Sequence, residues 1–318
     1  MKIQIIISTI LLFLVVSLTL SAQEDEIAET KKPKHKAVLN PWFSSTVIDA
    51  QTSFTPKKGD IEFIIHHRFT SIDNGISDLF GFYGASNIRL GLNYGITDKL
   101  MIGFGTERDK RMQEFLVKYK ILQQSRDNVI PVSVAIFANT CINARETDYW
   151  GTDYSFTDRL SYYSQIIVSR KWTSSLTTQL GLGYAHINKV DSYRVANSDS
   201  VSETITYYPK YYNDALGLSV VGRYKINNTF TVIAEFEKPL ALKKSSSGGH
   251  YNHGEIPKPI KAKPNVALGF EISTMTHSFQ LFASSYRAII PQNNLIMNNF
   301  DITEKNGIML GFNIVVKF

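Results

Sequence analysis

The chain has 318 residues, a net charge of +6 at pH 7 and one cysteine, Cys141. A single cysteine cannot form an internal disulfide, so the fold does not depend on oxidation. The positive charge is modest and spread along the chain, which excludes the basic stripe that a nucleic-acid partner requires. The length suits one large domain.

Residues 1–22 have the layout of a secretory signal peptide. Lys2 precedes a long apolar run, and the small residues Ser21 and Ala22 lead at once into an acidic stretch. An uncleaved anchor helix needs about 20 apolar residues, so length leaves that alternative open. The acidic stretch favours cleavage, with a mature chain that begins near Gln23.

Residues 23–58 are expected to form a periplasmic leader. As far as Asn40 the leader is polar, lysine-rich and aperiodic, which is typical of a flexible segment. Between Phe43 and Phe54 the sequence gains some strand character. This part of the leader either stays in the periplasm or folds into the following domain as a plug.

Residues 59–318 contain segments that alternate apolar and polar side chains with the period of a β-strand. Most of them reach the roughly 9–11 residues that a bilayer-spanning strand needs. In segment 112–122 the alternation places Leu116 on the inner face. The pattern predicts an all-β fold, a transmembrane antiparallel β-barrel of about 12 strands. The predicted strands are 60–70, 87–95, 99–107, 112–122, 131–142, 159–171, 175–187, 215–225, 229–238, 264–273, 278–287 and 307–318.

The connections between these segments alternate in length. The short ones lie at 96–99, 123–130, 172–175, 226–229 and 275–278. The long ones lie at 71–86, 143–158, 188–214, 239–263 and 288–306, with 108–111 as a short exception. Outer-membrane barrels have short periplasmic turns, long outer loops and an even strand number. The loops of a soluble β-sandwich are not expected to alternate between short and long in this way.

The last segment, 307–318, has the apolar face of a lipid-facing strand and ends on an aromatic residue. Phe312 and Phe318 belong to that face. We expect this strand to pair with segment 60–70 and close the barrel, since closure removes both unpaired edges. Phe312 and Phe318 are therefore the predicted assembly signal, read by the barrel assembly machinery.

Several motifs resemble an uncharacterised (domain-of-unknown-function) family of single-chain outer-membrane β-barrels of Gram-negative bacteria. They lie in Ile61–Phe69, Asp78–Phe80, Ile88–Asp98 and Phe115–Lys120. The resemblance extends over nearly the whole chain after the leader and implies a barrel fold in the cell outer membrane. It implies no activity, and a fold alone does not define one.

Strand parity directs a set of charged side chains into the lumen. The set comprises Glu62, His66, Arg68, Arg89, Glu114, Lys118, Arg223, Glu235, Glu237, Glu271 and Lys317. Buried charges are tolerated when they are paired and hydrogen-bonded, so one interpretation is a salt-bridged interior that stiffens the barrel. The other is a mixed-charge constriction that selects small ions or solutes.

Two local arrangements follow from the order of these charges. Arg68 and Arg89 lie on adjacent strands and form the best local basic pair. Arg223 faces Glu235 and Glu237 across a hairpin, and we expect these three side chains to satisfy one another.

The sequence contains no motif that supports catalysis. No His-x-Ser, HExxH, GxSxG or phosphate-binding loop occurs. His250, His253 and Glu255 are ligand-type residues, but their Gly/Ser/Pro-rich loop provides no rigid scaffold for a metal. We expect no enzyme activity, no cofactor and no metal.

Aromatic residues cluster in one predicted outer loop, at Tyr149, Trp150, Tyr154 and Phe156. Such rings can bind a sugar face or a partner protein. They can also pack against one another over the mouth of the barrel.

Two functions remain open. Twelve strands lie between eight-stranded barrels, which side chains fill, and 16-stranded porins, which hold a channel, so size does not choose between them. One hypothesis is a narrow channel or transport-related protein for small solutes. The other is a non-conducting envelope protein that binds a partner through its outer loops or its leader. Outer-membrane lipid is an expected partner in both.

Overall fold

A computed structural model of the protein describes residues 35–39, 41–150, 154–199, 202–241 and 258–318, with only the backbone at 194–199, 202–206 and 241. The predicted signal peptide, most of the leader up to Asn40, and the His250, His253 and Glu255 group lie outside the described residues.

The described residues form mostly strands. The strands are β1 (Thr46–Val47), β2 (Ala50–Gln51), β3 (Ile61–Ser71), β4 (Asn87–Gly95), β5 (Leu100–Glu107), β6 (Met112–Leu122), β7 (Ser133–Asn143), β8 (Leu160–Lys171), β9 (Leu176–Ile187), β10 (Ser192–Asp199), β11 (Ser202–Pro209), β12 (Asp214–Lys225), β13 (Phe230–Ala241), β14 (Asn265–Ser273), β15 (His277–Ser284) and β16 (Met309–Lys317). One α-helix, α1, extends over Pro291–Met297, and short 3-10 helices lie at Ile72–Asp78, Thr147–Tyr149 and Phe156–Arg159. No helix among the described residues is long and apolar enough to cross a membrane.

Twelve of the described strands, β3–β9 and β12–β16, close into an antiparallel barrel. Closure occurs where β16 pairs with β3, with Phe312 opposite His67 and Lys317 opposite Glu62. The predicted fold class is therefore confirmed, and the twelve predicted segments end within a few residues of the observed strands. The closed ladder satisfies the backbone of every barrel strand, which a lipid environment requires.

The outer surface of the barrel is apolar. Leu182 on β9 is 53% exposed and Leu268 on β14 is 60% exposed, whereas their strand neighbours point inward and are polar or small. Leu116 is buried inside, as predicted, and the ladder shifts register between Lys120 and Leu122. So extensive an exposed apolar surface is not found on a soluble monomer, and it matches a lipid-facing belt.

Three short elements lie outside the twelve predicted strands, and for one of them, the hairpin in the leader, the sequence shows only some strand character between Phe43 and Phe54. The hairpin β10–β11 extends from the long connection 188–214, the hairpin β1–β2 forms within the leader, and α1 forms within the connection 288–306. The helix begins with a proline and buries Gln292, Asn293 and Asn294 together with two apolar residues. A short segment that buries amides has no hydrophobic periodicity for a sequence pattern to reveal.

The closing strand provides a test of assembly. The Phe312 ring stacks on His67 of β3 with ring centroids 4.8 Å apart. We expect Phe312→Asp to lower the amount of folded barrel in the outer membrane several-fold, because a carboxylate on the lipid face costs on the order of 2 kcal/mol. Heat-modifiable mobility of membrane-extracted protein measures the folded fraction. Ile76→Asp, an apolar-to-acidic change in an exposed outer loop, is the control. Equal folded fractions for the two variants would contradict the prediction.

Candidate functional site: the plugged lumen

The charged residues predicted to face the lumen lie on its inner wall. Ten of the eleven side chains are buried, and Lys317, near the periplasmic end of β16, is half-buried. The wall they form does not enclose an open channel in this conformation, because two other segments occupy the lumen.

The first of these segments is residues 42–55, which we call the plug. Its two short strands, β1 and β2, form a hairpin near the end of the barrel that carries the short turns, which we take as the periplasmic end by the general rule for outer-membrane barrels. Trp42, Val47 and Ile48 are buried, and the hairpin packs against Phe282 and neighbouring apolar residues of the wall. The plug is thus a separate piece of chain held inside the barrel.

The chain that leads to the plug is attached to the periplasmic turns. The amide of Val38 donates to the carbonyl of Gln124 (2.9 Å), and Nε of Arg126 donates to the carbonyl of Ala37 (3.1 Å). Beyond the plug, the chain continues directly into β3. The plug is therefore tethered at both ends on the periplasmic side.

Two residues of the plug, Ser45 and Ile48, have both of their main-chain groups bound by wall side chains. At Ser45, the amide donates to Oε1 of Glu62 (3.1 Å), and the carbonyl accepts from Nζ of Lys118 (2.7 Å). At Ile48, the amide donates to Oε1 of Gln280 (3.0 Å). Its carbonyl accepts from Nδ2 of Asn313 (2.7 Å). The charged and amide groups of the wall thus satisfy backbone groups that would otherwise be buried without partners.

More main-chain contacts continue toward the second strand of the plug. Oε2 of Glu235 accepts hydrogen bonds from the amides of Asp49 (3.2 Å) and Ala50 (3.1 Å). Nε2 of Gln179 donates to the carbonyl of Gln51 (2.7 Å). Four plug amides and three plug carbonyls in the stretch 45–51 therefore have side-chain partners on the wall.

One ion pair joins the plug to the wall. Nη2 of Arg68 lies 2.5 Å from Oδ1 of Asp49, and Nη1 of Arg68 donates to Oδ1 of Asn313 (3.0 Å). The guanidinium also stacks over the Phe282 ring, 4.4 Å from its centroid. Arg68 is fully buried, so Asp49 provides the charge that makes its burial tolerable.

The predicted basic pair is not a pair of free cations. Arg89 lies beside Arg68 on the neighbouring strand, but Nε of Arg89 donates to Oε2 of Glu114 (2.8 Å), and Glu114 also accepts from Asn139 (2.5 Å). Both arginines therefore have carboxylate partners. This favours the interpretation in which charges pair across the interior.

The expected grouping of Arg223 with Glu235 and Glu237 is wrong. Nη2 of Arg223 lies 2.9 Å from Oε1 of Glu271 on β14. The register places Arg223 opposite Ile233, so that it reaches past β13 toward the periplasmic side, away from Glu235 and Glu237. Those two carboxylates have other partners: the plug amides bind Glu235, and Nδ2 of Asn265 donates to Glu237 (2.9 Å).

Three amide residues that bind the plug were not predicted. Gln179, Gln280 and Asn313 are uncharged, so a search of the inner face for charges passes over them. Strand parity places all three inward, and that parity is the signal that identifies them. Asp49 could not be assigned to the site from the sequence, because nothing local shows that its hairpin lies in the lumen.

Helix α1 is the second segment inside the barrel, in its extracellular half. Leu295 and Ile296 are buried, and the helix packs against β8, β9, β12 and β13. Nε2 of Gln292 donates to Oγ of Ser161 on β8 (3.1 Å). The helix therefore covers one side of the mouth. A small opening beside it is lined in part by Asp214, Lys261 and Leu295.

The aromatic cluster of the outer loop packs largely on itself. The rings of Tyr149 and Trp150 meet edge to face with centroids 5.1 Å apart, and the guanidinium of Arg159 lies over Trp150 and Tyr154. Trp150 is buried, whereas Phe156 is exposed. Burial and a hydrogen bond to Asp191 raise the pKa of Tyr149 to about 12. These contacts favour packing over the mouth as the role of the cluster.

The barrel, its apolar belt and its polar, occupied lumen define an integral outer-membrane β-barrel protein with an internal plug. The chain belongs to the family described as "Membrane bound beta barrel domain (DUF5777)", whose model matches residues 42–318. The matched region begins at the first residue of the plug.

Solved structures with similar folds are membrane barrels at low sequence identity. The NanC porin has a TM-score of 0.45 and 12% identity, over 80% of this chain and 98% of that chain. The COG4313 outer membrane channel from Pseudomonas putida F1 has a TM-score of 0.42 and 10% identity, over 91% and 100%. The Pseudomonas putida toluene transporter TodX has a TM-score of 0.36 and 11% identity, over 83% and 90%. No curated protein sequence matches the chain.

Proposed function

We propose that the protein is a gated outer-membrane channel for small polar solutes, and that residues 42–55 close it. The observation that carries the proposal is the way the plug is held. Small barrels are filled by side chains of their own strands. Here a separate hairpin fills the periplasmic half, and most of its polar contacts with the wall are hydrogen bonds that water could replace.

The wall is suited to remain in place after the plug leaves. Arg89 and Arg223 have partners within the wall, Glu114 and Glu271, so their charges stay paired without the plug. Arg68, Glu235, Glu62 and Lys118 lose their plug partners and become hydrated. The barrel ladder is closed in either state, because the plug contributes no strand to it. Release of the plug therefore opens a polar path without unfolding the barrel.

The proposal includes no catalytic role for the charged residues. Within the described ranges, no group of three or more His, Cys, Asp or Glu residues is placed to hold a metal ion. The charges described above have structural partners that account for their positions. Outer-membrane lipid and the barrel assembly machinery remain the proposed partners in biogenesis.

A non-conducting envelope protein is the second candidate. The observation that favours it is that α1 and the plug fill both halves of the lumen at once. In that case the outer loops or the leader would bind a partner, and the plug would be permanent.

A disulfide lock tests whether the plug moves. Oγ of Ser53 in the plug lies 2.6 Å from Oγ of Ser169 on β8, so cysteines at these positions are close enough to cross-link. We expect Ser53→Cys/Ser169→Cys, made in a Cys141→Ser background, to form a disulfide that holds the plug in place. Moderate urea solvates peptide groups and should release the small hairpin before it unfolds the closed barrel. In planar bilayers, the background protein should conduct in urea and the locked protein should stay silent until it is reduced.

The Ser53→Cys single variant, which cannot cross-link internally, is the matched control and should behave like the background protein. Conduction by the oxidised, locked protein equal to that of the control would contradict gating by the plug. Silence of the background protein in urea, with the barrel still folded, would favour the non-conducting alternative.

A further inference from the structure

We propose that the wall surface that holds the plug is a peptide-binding site, and that short peptides are the solutes of this channel. The plug would then act as an internal competitor that occupies the site when no peptide is present. The inference rests on the proposed function, since it names the solute class of the same lumen.

The pattern of wall contacts is that of main-chain recognition. Ser45 and Ile48 each have both main-chain groups hydrogen-bonded to the wall. In each residue the amide donates to a wall oxygen, and the carbonyl accepts from a wall nitrogen. At Ile48 the two wall groups are themselves joined, because Nδ2 of Asn313 also donates to Oε1 of Gln280 (2.8 Å). Such contacts do not depend on the side chains of the bound segment. A surface built from them accepts peptides of different sequence.

The backbone of the plug is strained at Ile48, one of the two residues whose main-chain groups the wall binds on both sides. Ile48 has a φ of 54°, in the left-handed region that β-branched residues rarely adopt. Both of its main-chain groups are bound by the wall, and its side chain is fully buried. Ile48 and Asp49 form the two-residue turn of the β1–β2 hairpin, and the wall binds the segment at that turn. A peptide that reaches this turn with less strain can compete with the plug.

One side-chain contact adds a preference for an acidic residue. Arg68 is fully buried and pairs with Asp49 of the plug. If the plug leaves, this guanidinium loses its carboxylate, and an aspartate in the incoming peptide can replace it. Peptides with an acidic residue just after the turn position should therefore bind best.

Hydrocarbons and sugars fit this surface less well. A hydrocarbon offers no partner to Glu62, Lys118, Glu235 or Gln179. A sugar offers hydroxyl groups, but not an amide and a carbonyl repeated at each residue along one chain. The paired acceptor and donor at Ser45 and again at Ile48 match the repeat of a peptide.

A binding experiment on the full chain tests the inference. In the linker variant, residues 44–54 are replaced by a Gly-Ser sequence of equal length. The probe is a fluorescent synthetic peptide of residues 42–55, capped at both ends, and binding is measured by anisotropy in detergent. We expect saturable binding to the linker variant and at least tenfold weaker binding to the wild-type protein, whose own plug competes.

Three unlabelled competitors decide what is recognised. A peptide that keeps Asp49 and the buried Trp42, Val47 and Ile48, with alanine at every other position, should compete within tenfold of the native peptide. An analogue with ester oxygens in place of the amides of residues 45 and 48 should be at least tenfold weaker, and an oligosaccharide of similar length should not compete. Failure of the alanine peptide would overturn the inference, because the site would then fit only its own plug. Equal competition by the ester analogue would also overturn it.

The outcomes separate this inference from the channel proposal. If the linker variant conducts but no peptide competes for the site, the peptide-binding inference is contradicted and the channel proposal stands. If peptides compete but the linker variant does not conduct, the channel proposal is contradicted and the protein is a peptide-binding barrel. If the linker variant does not fold, the full-length Asp49→Asn variant, whose plug has lost its ion pair, serves in the same assay.

Discussion

Replacing residues 44–54 by the Gly-Ser linker is expected to turn a silent barrel into a conducting one. The replacement removes the buried contacts of Val47 and Ile48, the ion pair of Asp49 with Arg68, and the ordered hairpin. A Gly-Ser segment also loses more conformational entropy on ordering, so it occupies the site poorly. Planar bilayers should record small, salt-dependent conductance for the linker variant and none for the wild-type protein.

The matched control replaces residues 72–82, a stretch of equal length in an outer loop, with the same linker. That variant keeps the plug and should remain silent. If the plug-linker variant is silent, a further variant that also replaces α1 removes the second segment from the lumen. Silence of both, with heat-modifiable mobility showing folded barrels, would contradict the channel proposal.

Removal of one partner from the Arg223–Glu271 pair is expected to give the largest loss of stability. Both side chains are buried on the inner wall, and Nη2 and Oε1 lie 2.9 Å apart. Arg223→Ala leaves a buried carboxylate without its cation, and Glu271→Ala leaves a buried guanidinium without its anion. Each should lower the free energy of unfolding by about 3–5 kcal/mol. Urea titration of purified protein in detergent, followed by heat-modifiable mobility, measures the change.

An exposed ion pair is the control for this prediction. Arg111 and Glu146 are joined at 3.1 Å, but both side chains are more than half exposed. Glu146→Ala should therefore change the free energy of unfolding by about 0–1 kcal/mol. The double variant Arg223→Ala/Glu271→Ala should lose less than the sum of the single losses, because it leaves no unpaired charge. Additive losses would show that the two residues act independently.

The barrel was predictable because lipid imposes a simple rule on its strands. Residues such as Leu182 and Leu268 must face hydrocarbon, so every second position is apolar, and the alternation marks both the strand and its inner face. The pairing of β16 with β3 follows from the need to remove free edges. The inner position of Leu116 followed from the same parity.

The contents of the lumen were less predictable, because they depend on which residues meet across the barrel. The predicted partners of Arg223 were wrong because the β12–β13 register places Arg223 opposite Ile233. The order of charges along the sequence does not show which side chains meet in that register. Nothing in the local sequence distinguishes Asp49 from other acidic residues. Its role is visible only in the fold, where its hairpin brings it to Arg68. Helix α1 is short and buries amides, so it carries no periodic signal. Tertiary contacts, rather than local pattern, define each of these features.

The attachment of the plug at both ends has a kinetic consequence. Ala37 and Val38 are held at the periplasmic turn, and the residue range 56–60 leads straight into β3, so a released plug stays within reach of its site. A ligand on a short tether acts at an effective concentration on the order of millimolar. Reclosure is therefore unimolecular and independent of the amount of protein. Under the proposed function, a solute that opens the lumen competes with the plug at that effective concentration, so it must be abundant or bind more tightly than the plug.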